Sequence, residues 1–168
     1  WLLRMAVFLT PTVAVHLALL ALPFVEITLW SVVQVFIMTR IIGLGVTVGH
    51  HRYFSHHSFK TSRPFQFVMA VIGCTALQRG PLWWAYRHRL HHRHSDTDLD
   101  PHSPVANNFL YGHLTWLCET DLLDPDYSLV KDLTRYPELV WLDRLQVVPA
   151  ILLAAVCYDC WGLTGLIV

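Results

Sequence analysis

Nine of the eleven histidines in this 168-residue chain fall between Gly49 and His102. The stretch opens G-H-H-R-Y-F-S-H-H-S-F and closes W-W-A-Y-R-H-R-L-H-H-R-H-S-D-T-D-L-D-P-H. His88, His91 and His92 form H-x-x-H-H. An α-helix turns about 100° per residue, so positions i, i+3 and i+4 share a face and three imidazoles there can bind a metal together. His51 and His56 form H-x-x-x-x-H. A spacing of five drifts off an α-helical face, so this pair works best where a helix is ending, or where the two rings serve different metals. Neutral imidazole suits zinc, copper, iron and nickel, and no cysteine lies near enough to favour a zinc ribbon. A set this rich in nitrogen, sized for more than one metal, favours redox iron over a single structural zinc. Ligating histidines need a partner for the second ring nitrogen. Asp96, Asp98 and Asp100 are candidates, while His102 and His113 read as polar contacts. His50, His57 and His94 adjoin the boxes but break their spacing, and read as supporting or solvated residues.

The elements that must position these rings are strongly apolar. Hydrophobic residues make up 54% of the chain and charged residues 14%, against about 25% charged in an ordinary soluble domain; mean hydropathy is +0.42. Met5 to Val25 carries no charge, and Ile27 to Gly49 is broken only by Arg40. About 20 such residues cross a bilayer as a helix, so the two make a transmembrane hairpin. Arg40 reads as a packing or snorkelling residue and His16 as an interhelical hydrogen-bonder. Pro64 to Gln78 is uncharged but short, which suits a helix lying at the interface. A third apolar stretch covers residues 145–161, with Asp159 and Gly162 at its far end. The fold expected is all-α and integral to the membrane: spans near 5–25, 27–49 and 145–161, an interfacial helix, and a helical cap over 50–144 that carries the histidines.

Ten of the twelve Lys and Arg residues lie between the second and third spans. The positive-inside rule therefore places the histidine belt in the cytoplasm. Formal net charge is zero, which gives no basic field for nucleic acid. Four scattered cysteines make no disulfide scaffold, and the Cys157-x-x-Cys160 pair lies in an apolar run where packing is its expected role.

The wording around the histidines resembles the membrane fatty acyl-CoA desaturases of the stearoyl-CoA (delta-9) type, and its bacterial members in particular. G-H-H-R-Y-F-S-H-H-S-F-K matches their first histidine box and H-R-L-H-H the second, followed by S-D-T-D-L-D-P-H. The apolar hairpin before box one and F-L-Y-G-H-L-T-W-L after box two also fit. The resemblance implies one desaturase domain over 1–168, an iron-ligand role for His51, His56, His88, His91 and His92 in a two-iron centre, and Trp84 lining the bend of an acyl tunnel with Gln78 nearby. It implies a fatty acyl substrate (CoA thioester or lipid-linked), O2, and an electron donor such as a cytochrome b5-like protein or a ferredoxin with its reductase. The bacterial cytoplasmic membrane, or the endoplasmic reticulum in a eukaryote, would hold it. Family members carry a third histidine box after a fourth span. The chain opens at Trp1 and closes inside an apolar run, so that box is expected beyond residue 168 and this segment alone is expected to be inactive. Where the family often has Arg-Asp beside box two, this chain has Tyr86-Arg87, which leaves the acyl carrier open.

Two other readings fit parts of the pattern. A related histidine-box hydroxylase would share the ligands and give an alcohol. A membrane metal-binding or transport protein would line its spans with ionisable residues, whereas here only His16, Arg40 and Asp159 lie inside them.

Overall fold

Thr28 starts the helix that leads to the first histidine box. In the computed structural model, which describes residues 13–100, 102–113, 116 and 126–168, its hydroxyl accepts from the Ser31 amide and the Ser31 side chain accepts from the Thr28 amide. This capping box satisfies two of the donors that a helix start leaves open. Ahead of it lies α1, Val13–Phe24; the rest of the predicted 5–25 span falls outside the described residues. Helix α2 runs Leu29–Leu44 and continues without a break as a π-helix, Gly45–Ser55. The helix continues past the expected end of the span at Gly49: the rod Leu29–Ser55 has 27 residues, and His50 and His51 ride on it.

Helix α3, Arg63–Cys74, is capped by Ser62 and buries Gln66, Met69, Ala70, Gly73 and Cys74. Those positions form one i, i+3, i+4, i+7 stripe, and it packs on the π-helix. The approach is close: a Cβ on Gly45 would lie 2.7 Å from the Gly73 amide nitrogen, so only glycine fits there. The opposite face leaves Phe65, Phe67 and Val68 exposed.

Helix α4, Pro81–His94, carries the second box. Its start is capped from α7, Pro137–Arg144: the Asp143 carboxylate accepts from the amides of Leu82 at 2.9 Å and Trp83 at 3.1 Å, and from the Tyr127 hydroxyl. Gly80 makes the junction possible, because a Cβ there would collide with Asp143. Between α4 and α7 come α5, Phe109–His113, a 3-10 turn, Tyr127–Val130, and α6, Lys131–Thr134. The apolar core shared by these elements, α3 and the end of the π-helix is Phe54, Met69, Ala70, Cys74, Leu82, Ala85, Val130, Leu133, Leu139 and Leu142.

Helix α8, Val148–Ile167, is broken at Gly162, whose φ is 62°, where the sequence placed a boundary. The helix resumes to Ile167. Gln34 of α2 donates to the Gly165 carbonyl of α8 at 2.8 Å. The rod Leu29–Ser55 and α8 are both long and apolar enough to cross a membrane. Leu29 is 78% exposed, Trp30 75% and Ile151 61%, an apolar surface that suits lipid rather than water. Every regular element among the described residues is helical. Cys157 and Cys160 are both free thiols; Cys157 is buried, in keeping with packing, and Cys160 is exposed. Arg40 is exposed and lies over the Phe36 ring at 5.0 Å.

Candidate metal centre

A π-helix bonds each amide to the carbonyl five residues back. Its wider turn puts residues i and i+5 one above the other, and the first box has that spacing. The His56 amide donates to the His51 carbonyl at 3.1 Å, and the Ser55 hydroxyl donates to the His50 carbonyl at 2.7 Å. The His51 and His56 rings consequently meet at 4.6 Å, nearly perpendicular at 73°. The pair lies where the helix ends, as its spacing suggests: Ser55 is the last helical residue and His56 the C-cap, and the last turn is π-helical rather than α-helical.

On α4 the second box divides. From His88, position i+3 lies about 60° to one side and position i+4 about 40° to the other. His92 turns toward the first box, and its Nε2 lies 3.0 Å from His88 Nε2. His56 Nε2 approaches the same His88 nitrogen at 2.9 Å. His51, His56, His88 and His92 each bring one nitrogen within 4.8 Å of the others. His91 turns to a second group with Asp100 and His102. The three imidazoles of box two thus divide two and one between these groups.

Burial, and then the neighbouring rings of His51, His92, His56 and His91, push the His88 pKa down to about 3. Burial, and then His51, His92, Arg89 and His57, also lower His56. His88 and His56 are therefore held toward the neutral form, which leaves a lone pair on one nitrogen of each ring. Four imidazole nitrogens within 4.8 Å of one another fit a divalent transition metal, and His88, which faces both His56 and His92, is the centre of that donor set.

Asp100 is buried and supports the second group. Its oxygens lie 2.9 and 3.0 Å from His91 Nδ1, which leaves Nε2 of that ring for a metal. It also accepts from the amides of Asp96 and His102, and Asp96 accepts from the Ser103 hydroxyl. Burial pushes the Asp100 carboxyl up, and the His91 and amide hydrogen bonds outweigh it to leave the group below its ordinary range. The His102 ring stacks on His91 at 4.5 Å. Asp98 is exposed on the turn between them.

Trp84 lies under the four-histidine group. Its ring stacks on His88 at 4.7 Å and meets His51 edge-on at 6.1 Å. Gln78 is exposed in the bend between α3 and α4. His50 is corrected from a supporting or solvated residue: it is fully buried, and neither ring nitrogen has a hydrogen-bond partner. It packs against Phe54 and Trp84. His57 sits beside Asp132 at 3.2 Å. The His113 side chain lies outside the described residues. Sequence reasoning passed over Arg89 and Asp143, because an arginine in a basic belt and a lone distant aspartate carry no spacing signal.

The family model that describes fatty acid desaturases matches residues 27–168. Curated relatives include the acyl-CoA 5-desaturase AL21 of Anemone leveillei, 33% identical over 154 residues that make up 85% of this chain and 45% of that protein. The sn-2 palmitoyl-lipid 9-desaturase of Nostoc sp. (strain 36) is 40% identical over 66% of this chain and 41% of its own length. The delta-9 acyl-lipid desaturase 1 of Arabidopsis thaliana is 39% identical over 65% of this chain and 35% of its own. The chain thus spans less than half the length of these relatives.

Proposed function

Because the chain belongs to the fatty acid desaturase family, we propose that its full-length protein is an oxygen-dependent di-iron desaturase that introduces a cis double bond, at the delta-9 position, into a saturated fatty acyl chain. The observation that carries this reading is the convergence of His51, His56, His88 and His92. These four would hold one iron. His91, braced by Asp100, would hold the second together with ligands from the third histidine box. When bound, the two irons supply an oxidant drawn from O2, two electrons and two protons, which takes one hydrogen from each of two adjacent methylenes and leaves an alkene and two waters.

The protein's own part is to hold and to orient. Asp100 fixes the His91 tautomer and ring plane. Trp84, rigid against His88, lines the bend of the acyl tunnel, with Gln78 at its approach, so that one methylene pair meets the metals. Low proton affinity at His88 keeps its nitrogen available as a ligand. Lys and Arg clustered between the two long apolar helices support a cytoplasmic face for the site. The acyl carrier is a CoA thioester or a membrane lipid, since names of both kinds occur among the relatives. Electrons come from a cytochrome b5-like protein or from a ferredoxin and its reductase.

The test is metal analysis of the purified full-length protein and its His88→Ala variant. About two irons per protein are expected in the native form, as in other two-metal sites, with loss of metal in the variant. Native-level iron in His88→Ala would remove the ligand assignment.

A further inference from the structure

Arg89 follows the box residue His88 on α4, and its guanidinium reaches the end of the π-helix. Nη2 donates to the Phe54 carbonyl at 2.7 Å and Nε to the Ser55 carbonyl at 3.2 Å. These are the last carbonyls before His56. A helix end leaves such carbonyls without internal partners, and a cation there also meets the negative end of the helix dipole. The other side of the fork is held from α6. Asp132 accepts from Nη1 at 2.8 Å and Nη2 at 2.9 Å, and the Leu129 carbonyl accepts from Nη1 at 3.1 Å. His57 Nε2 lies 2.8 Å from Nη2, which can only donate to it, and 3.2 Å from the same carboxylate. The Arg89 side chain is 21% exposed and Asp132 36%, so solvent reaches the pair only in part.

We propose that the Arg89–Asp132 pair is a positioning device that locks the π-turn and thereby sets His56 against His88 and His92. The proposal rests on the reading that the four-histidine group binds metal. Arg89 is adjacent to His88 and bonds the backbone adjacent to His56, so a single side chain fixes the relation between the two boxes. π-helices are rare, and longer runs of backbone prefer the α-helical register. Were this segment to relax to an α-helix, His56 would turn about 140° away from His51. The guanidinium fork on two carbonyls and a carboxylate opposes that rotation. A lysine offers one point of charge in place of the fork and cannot reproduce the geometry.

An ordinary ion pair between the cap and the rod would affect stability and leave metal affinity alone, so affinity is the discriminating readout. Full-length protein is purified metal-free and titrated with cobalt(II), followed by ligand-field absorption, with thermal unfolding run in parallel. Arg89→Lys and Asp132→Asn are each expected to weaken cobalt binding about 10- to 100-fold, the range for outer-shell partners of a metal site. Glu138→Gln, which breaks the separate Arg63–Glu138 pair of the cap, is expected to leave binding unchanged. The double variant is expected to be no weaker than the worse single variant, because both changes disable one unit. If Asp132→Asn does not fold, Asp132→Glu replaces it: the charge stays, the arm lengthens, and weaker cobalt binding is still expected. Parent-like affinity in Arg89→Lys and in the folded Asp132 variant overturns the proposal. Failure of the parent itself to bind cobalt sinks the metal reading instead, which keeps the two failures apart.

Discussion

The amide of His56 donates to the carbonyl of His51 at 3.1 Å, and this i+5 bond brings two candidate metal-binding rings to 4.6 Å. The four-residue gap in H-x-x-x-x-H is therefore a π-helical spacing. Inserting one alanine between Phe54 and Ser55 moves His56 off His51. Metal affinity of the full-length protein should fall at least about tenfold. The same insertion beside Lys60, in the loop before α3, should bind metal as the parent does. Equal loss from both insertions would show that the π-turn has no special role.

Asp100 is the next link, since it holds His91 Nδ1 with both oxygens. Asp100→Asn keeps the shape but gives up the charge and one acceptor. Activity of the full-length protein should drop about 10- to 100-fold, with fewer irons retained. Unchanged iron content and rate would reduce Asp100 to a local turn residue.

How much of this was legible beforehand varies with the physics involved. The apolar helices, the short helix α3 and the break at Gly162 follow from the length of uncharged runs and from the residues that interrupt them. The ligand candidates follow from residue type. Which imidazoles share a point does not, because it depends on helix form and on a rotation of tens of degrees. A π-helix leaves no mark in residue type, so His51 and His56 looked divergent and His50 looked peripheral. Asp143 caps α4 from 60 residues away in sequence, a relation only the folded chain displays.

Asp143 gives a prediction with a definite sign. Burial raises its carboxyl pKa, and the hydrogen bonds from Tyr127, Trp83 and Leu82 offset this only in part. A carboxyl whose folded pKa is raised adds stability at low pH and loses that contribution as pH rises through the folded value. Asp143→Asn removes the titration yet keeps an acceptor for the α4 amides. The thermal midpoint of the parent should exceed that of Asp143→Asn by most below pH 3.8, the ordinary value, and the gap should close as pH rises. Asp143→Ala should cost about 1–3 kcal/mol near neutral pH, because it strips the cap and strands buried amides. A gap that widens with rising pH would contradict the burial argument.

Product analysis distinguishes desaturation from every other use of the histidine group. The full-length protein is expressed with an electron donor in a desaturase-deficient host fed an isotope-labelled saturated fatty acid, and the labelled acyl chains are identified by mass spectrometry. A labelled cis-monounsaturated chain is expected with the native protein and none with His88→Ala. A labelled hydroxy acid in its place, or an unchanged acyl profile from iron-loaded protein, would contradict the account.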